Sequence, residues 1–232
     1  MSLVYYTCNM FGFLNKNDIF NSVGVKRIIN FYARGDIWHN QNKKTGNLGY
    51  GWIHYALIRN FKPKKVLCIG SRYGFVPAVC AVGCRDNRFG KVDFVDAAMD
   101  MNDVNKVAGD HWGGVGFWKK CKPKRYFGKF GMEEYIDLYV MRDDKFAKKY
   151  SKRMYDYIHI DGDHSYKGVK LDFDLFWPRL NKGGFMAFHD IASPDKDGNV
   201  YGTRDFWAEL KKKYKVTFEF NKDPGVGIIQ KL

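Results

Sequence analysis

The sequence predicts an α/β fold: a seven-stranded, mostly parallel sheet with helices on both faces and a C-terminal antiparallel hairpin. Three observations predict it. Short β-rich runs alternate with helical patterns from residue 65 onward. The last two runs lie close enough to pair as a hairpin across "NKDPG". A chain of 232 residues with 45% apolar content can bury one substantial core.

Residues 1–60 precede the first strand and form a helical cap segment in this reading. "NDIFNSVGVKRIINFYARG" has a helical pattern, "DIWHNQNKKTGNLGYG" reads as a loop, and "WIHYALIRNF" reads as a helix entering the sheet. The main domain then covers 61–232. Its first strand is "KVLCIG" (65–70), followed by "SRYG" and a helix from "FVPAVCAV", where Pro77 in the first turn loses no needed hydrogen bond. "VDFVD" (92–96) is the second strand. Residues 97–135 are long for one crossover and include "GDHWGGVGFW", a lid-like insertion in which Trp112 and Trp118 cover the core or a cleft. "IDLYV" (136–140) and "YDYIHID" (155–161) are the next strands. Val169, Phe173, Phe176 and Leu180 form a helical stripe that Pro178 and Gly183–Gly184 end. "GFMAFHD" (184–190) is the fifth strand. A helix carrying Phe206, Trp207, Leu210 and Tyr214 leads to "KVTFEF" (215–220) and "GVGIIQK" (225–231).

Composition narrows the class. No window approaches the roughly 18 uninterrupted apolar residues of a membrane span. The N-terminus lacks the basic-then-apolar order of a secretory signal. Five cysteines, with no Cys-x-x-Cys pair, read as core thiols in a reducing cytoplasm. The formal net charge is +14, concentrated in runs such as "KPKK", "KKCKPKR" and "KKKYK". Each run reads most simply as solvated surface. Together they fit an anionic saccharide, a phosphorylated small molecule or nucleic acid.

Chemistry concentrates at strand ends, where open α/β sheets bind ligands. The first strand ends in Gly70-Ser71-Arg72-Tyr73-Gly74, a Gly-x-x-x-Gly turn opening a helix. Such a turn lets a ligand approach the backbone and the free N–H groups of the helix start. Asp96 ends the second strand, placed to accept hydrogen bonds from ribose hydroxyls or simply to form a turn. The fourth strand ends in Asp161-Gly162-Asp163-His164, and the fifth in His189-Asp190. Asp161 and Asp163 can aim at one point from one turn, with His164 as an alternative base or a further ligand. The plainer alternative is a helix N-cap, supplied by Asp163 or Ser165. His159 lies mid-strand and reads as a packed or hydrogen-bonded histidine, while His39 and His54 are candidates for the mouth of the site, though nothing in the sequence shows it.

These residues resemble the class I S-adenosylmethionine-dependent methyltransferases, whose fold is Rossmann-like. "VLCIGSRYG" is similar to that family's first motif and "VDFVDA" to its second, with Cys68 where the first motif usually has an acid. Within the family, "YDYIHIDGDHSYKGVKLDFDLFWPRLNKGGFMAFHDI" resembles the branch of macrocin-type sugar O-methyltransferases and cephalosporin-hydroxylase-like relatives. The resemblance implies S-adenosylmethionine at Gly70, Ser71, Gly74, Asp96, Asp143 and Asp161. It implies a divalent cation at Asp161, His189 and Asp190, with His189 replacing an Asp of that branch. Mg²⁺ is the expected ion, and the mixed nitrogen and oxygen donors also admit Mn²⁺, Fe²⁺ or Zn²⁺. Asp163 becomes the base, with His164 beside it. The expected reaction is metal-assisted O-methylation of a hydroxylated small molecule or sugar. Two rivals stand against it: methylation of RNA, and a Rossmann-like binding protein without catalysis.

Overall fold

The computed structural model describes residues 22–98, 117–195 and 201–232. Within them, seven strands form one sheet in the order β3-β2-β1-β4-β5-β7-β6. These are β1 (Lys65–Ile69), β2 (Lys91–Asp96), β3 (Ile136–Val140), β4 (Tyr155–Ile160), β5 (Leu180–His189), β6 (Thr217–Phe220) and β7 (Val226–Gln230). The first five pair in parallel, while β7 runs antiparallel to both β5 and β6. The order reverses at β1, which lies between β2 and β4, and the carboxyl ends of those strands are where open α/β sheets place their ligand crevice.

The helices are α1 (Ser22–Ile28), α2 (Gly51–Phe61), α3 (Phe75–Asn87), α4 (Phe117–Lys120), α5 (Pro123–Gly128), α6 (Asp143–Lys149), α7 (Tyr166–Phe176) and α8 (Gly202–Lys213). A π-helical turn, Ile29–Ala33, continues α1. Two buried clusters flank the sheet. One joins Val25, Ile28 and Tyr32 of the N-terminal segment to α3, Phe127 and Phe130. The other joins α7 and α8 to the opposite face through Val169, Phe173, Phe176, Phe206 and Trp207. Residues 22–61 therefore share the core of the sheet. The helices cover both faces because every central strand is apolar on both sides.

The fifth strand is longer than "GFMAFHD" alone. It begins at Leu180, which pairs with Tyr155, and its register shifts before Tyr157 meets Phe185. Gly183, at φ +82°, adopts the left-handed backbone that this irregularity needs. The glycine pair that reads as a helix stop is thus a bulge inside a strand. Most of "GDHWGGVGFW", including Trp112, lies outside the described residues. Trp118 is fully buried, with its ring against Gly74 and Phe94.

Candidate active site

Two turns meet in the crevice. The turn after β1 begins at Gly70, whose N–H donates to the Val95 carbonyl. The Asp161 N–H in turn donates to the Ile69 carbonyl, so the turn after β4 is locked beside it. A Cβ on Gly70 would stand 2.2 Å from the Asp161 carbonyl oxygen, and Gly70 sits at φ +67°. Both facts demand glycine. Gly74, at φ +84°, starts α3, and Ser71 between them is buried.

Asp96 is buried at the end of β2, and its Oδ1 accepts the Ala98 N–H at 2.7 Å. Burial pushes its carboxyl up to about 6, although the Ala98 and Ser71 amides oppose that rise. Asp143 opens α6 and faces Asp172. Asp172 is buried, and burial followed by the neighbouring Asp143 holds its carboxyl well above the usual range.

Beyond β4 and β5, carboxylates and imidazoles interleave. His189 Nδ1 lies 3.2 Å from Asp161 Oδ1 and 2.9 Å from Asp190 Oδ2. His164 Nε2 is 3.5 Å from Asp161 Oδ1, and its Nδ1 is 3.3 Å from Asp190 Oδ2. The second oxygen of Asp161 faces His39 Nε2 and His159 Nε2, each at 3.8 Å. Asp190, at φ +58°, turns its Oδ1 to the Ser193 hydroxyl, which donates at 2.7 Å. Asp161, His164 and Asp190 offer ligand atoms within 4.8 Å of one another, a spacing that can hold a metal ion.

Electrostatics follow from that packing. Burial alone would raise the Asp161 and Asp190 carboxyls, but the His189 imidazolium outweighs it and both fall below the usual range. Burial likewise works against charge on His189, yet Asp190 and Asp161 together push its pKa well above the ordinary imidazole value. His39 goes the other way: burial, then the His189 charge, keeps it neutral. His54 is buried deeper, with Nδ1 2.6 Å from the Tyr157 hydroxyl and its ring 4.6 Å from that of His159.

The structure therefore brings Asp161, His164, His189 and Asp190 together, next to the turn of Gly70, Ser71 and Gly74. Asp163 is placed differently. It is exposed, its Oδ1 accepts the Ser165 N–H at 2.9 Å, and its carboxyl lies over Gly168. Ser165 Oγ accepts the Gly168 N–H at 3.0 Å and caps α7. Sequence reasoning named His39 only as a candidate for the mouth of the site and did not anticipate the Trp38 carbonyl. Their loop, 36–42, lies far from the motifs in sequence and has no periodicity to anchor it.

A family profile described as a methyltransferase domain matches residues 67–191, from inside β1 to just past Asp190. The chain belongs to the methyltransferase-domain family. Among curated relatives of this methyltransferase-family chain is the uncharacterized protein y4gI of Sinorhizobium fredii. It is 31% identical over 227 residues, covering 88% of this chain and 22% of that protein. The chain thus spans about a fifth of the length of that relative. Among solved structures, the O-methyltransferase TomG of Streptomyces achromogenes, involved in tomaymycin synthesis and solved with SAM, superposes with a TM-score of 0.56. It is 12% identical and covers 89% of both chains. The Bacillus cereus O-methyltransferase, solved with SAH, gives a TM-score of 0.58 at 13% identity, covering 89% of this chain and 90% of that one. These two share the fold of this methyltransferase domain. Among the described residues, no helix is long and apolar enough to cross a membrane.

Proposed function

We propose that this chain methylates a hydroxyl of a small molecule or sugar, using S-adenosylmethionine and a divalent cation. One observation carries the reading. The glycine turn after β1 and the cluster of Asp161, His164, His189 and Asp190 are in backbone contact at Gly70 and Asp161. Cofactor and acceptor sites would therefore share one wall, as a direct group transfer requires.

The residues present fit both groups. Gly70, at the end of β1, brings the backbone of the turn close to the strand ends without a side chain, and the carboxylate of Asp96 would accept the ribose hydroxyls. The cofactor supplies a methyl group activated by its sulfonium. A cation held by Asp161, His189 and Asp190 would orient acceptor oxygens and lower the pKa of the hydroxyl. His164 would take the acceptor's proton, because its imidazole lies in the cluster and its side chain is 14% exposed. Asp163 is the second candidate base, at the cost of releasing its bond to the Ser165 amide. Asp143 would lie toward the adenine end. The macrocin-type resemblance favours a sugar hydroxyl as acceptor, and the +14 charge favours an anionic one.

Calorimetry with SAM and SAH, with and without Mg²⁺ or Mn²⁺, tests cofactor binding, and absence of binding under every condition overturns the reading. Labelled methyl transfer to a panel of saccharides and hydroxylated small molecules tests the acceptor. The +14 charge also supports RNA as the acceptor. Salt-dependent gel shifts with methyl incorporation into RNA would replace the sugar by RNA.

A further inference from the structure

Two arginines converge on one aromatic ring beside the Gly70 turn. The Arg34 guanidinium carbon lies 5.1 Å from the centre of the Tyr73 ring and 4.6 Å from that of Phe117. Arg72 reaches the same Tyr73 ring at 5.2 Å. Both residues occupy left-handed backbone, at φ +50° and +34°, which a residue with a Cβ rarely adopts. Arg34 closes the π-helical turn in the conformation for which glycine is usual. Strain kept at two like-charged side chains is a cost that packing alone does not explain.

Their charge is only partly matched. Arg72 Nη1 donates to Asp36 Oδ1 at 3.2 Å, one bond where a guanidinium fork can make two. Its Nε–H is buried without a hydrogen-bond partner among the described residues. Arg34 is exposed, and among the described residues no carboxylate pairs with it. Two guanidiniums against one carboxylate leave a positive charge that an anionic ligand neutralises. The pair also stands close to the catalytic cluster. Trp38, on the same loop as Arg34, has its carbonyl oxygen 3.0 Å from His189 Nε2, and the next residue, His39, lies 3.8 Å from Asp161. Four residues of chain reach at most about 14 Å, so Arg34 lies within that span of Trp38. Arg72 is two residues from Gly70, whose backbone abuts the Asp161 carbonyl.

We propose that Arg34 and Arg72 form a subsite for an acidic group of the acceptor, so that the substrate is an acidic saccharide carrying a carboxylate, sulfate or phosphate. This rests on the acceptor reading given above and deepens it. The planar guanidinium fork matches each of these oxygen-bearing groups, which a lysine meets only as a point charge. The Tyr73 and Phe117 rings hold the guanidiniums in place by cation–π contact, so little side-chain freedom is lost when the acid binds.

The test is binding of methyl glucuronide, a glucose phosphate and the neutral methyl glucoside to the full chain. Calorimetry and ligand-observed NMR read it at about 0.15 M salt, where diffuse surface charge is largely screened. The two acids should bind at least about tenfold more tightly than the glucoside, as charge-assisted hydrogen bonds require. Arg34→Gln should weaken the acids about tenfold and leave the glucoside and SAH unchanged. Lys212→Gln, exposed on α8, removes the same charge and should change nothing. Arg34→Gly gives a readout that a structural role would not: it relieves the left-handed backbone, so Tm should hold or rise while acid binding falls. A fall in Tm with acid binding retained assigns Arg34 to the fold and overturns the inference. Equal binding of acids and glucoside, or an equal loss in Lys212→Gln, overturns it as well. So does weaker SAH binding by Arg34→Gln, because the anion would then be the cofactor's own carboxylate. A loss confined to RNA gel shifts replaces the saccharide by RNA and also overturns it. SAH calorimetry on the same samples separates the two readings. Acid discrimination without SAH binding refutes the cofactor alone, and SAH binding without acid discrimination refutes the subsite alone.

Discussion

Gly70→Ala probes the contact on which the whole site depends. The substitution has two separable costs. The first is conformational, because alanine at φ +67° is strained by about 1–2 kcal/mol. The second is steric. The new Cβ would stand 2.2 Å from the Asp161 carbonyl oxygen and 2.7 Å from Gly162 Cα, against ordinary contacts of 3.4 Å or more. Those neighbours are backbone atoms of a turn locked to β1, so relief requires separating two strand ends, at about 1–3 kcal/mol in the manner of an overpacked core. The sum is about 2–5 kcal/mol, or a fall in Tm of about 4–20 °C for a chain of this size. Gly183→Ala isolates the first cost: it sits at φ +82° with nothing within 4 Å of the added methyl. The assay is thermal and urea unfolding of both variants beside the wild type. If Gly70→Ala is no more destabilised than Gly183→Ala, the two turns are not in contact and the shared wall is refuted.

Other outcomes follow from the same geometry. Asp96 is neutral below about pH 6 and charged above it, and the charged form is the better acceptor for ribose hydroxyls. SAH affinity should therefore fall on acidification with a midpoint near 6, by about tenfold at one pH unit below it, and calorimetry from pH 5 to 8 reads this. Asp96→Asn should remove that transition. Arg153 Nη1 donates to the fully buried Asp93 at 2.8 Å, as does the Tyr155 hydroxyl at 3.0 Å. Asp93→Asn should cost about 2–4 kcal/mol in urea unfolding, since Arg153 is about a third exposed and keeps some hydration. Ser165→Ala should cost about 1 kcal/mol through the lost cap of α7. For catalysis, His164→Gln should abolish methyl transfer while sparing SAH binding, and Asp163→Asn should retain it; the reverse result makes Asp163 the base.

Much of this architecture is legible in the sequence because buried parallel strands are short, apolar and separated by amphipathic helices. The seven-stranded, mostly parallel sheet and the antiparallel pair at its end follow from that alternation, while its reversal at β1 was read from the structure alone. Strand ends are legible for the same reason. A run such as "YDYIHI" ends where polar residues begin, which places Asp161 at the crevice. The bulge at Gly183 was hidden, because a glycine pair after a helix signals a stop equally well. The roles within "DGDHSY" were hidden too. Sequence places two carboxylates on one turn but not their rotamers, and only coordinates separate Asp161 in the cluster from Asp163 on the helix. Least legible was loop 36–42, whose contribution is a backbone carbonyl that any residue could supply.

Cys68 shows how one departure from the family pattern fits the rest. It lies opposite Phe94 on β2 and His159 on β4, fully buried. It belongs to the same buried layer as Cys80, Tyr157 and Phe94. An acid there would face a thiol and aromatic rings in a layer that already holds His54 and His159 neutral by burial. Charged without a partner, it would be expensive; neutral, it would lose the property for which the family uses it. The chain instead carries its buried negative charge one strand end further out, at Asp96, Asp161 and Asp190. Two of these three are matched by His189. Cys68→Asp should therefore destabilise the fold, by several kcal/mol at neutral pH and less as pH falls toward 4 and the new carboxyl protonates. Urea unfolding at pH 7.5 and 5 checks the sign. Equal stability at both pH values, or tighter SAH binding by the folded variant, would mean that position 68 faces the cofactor after all.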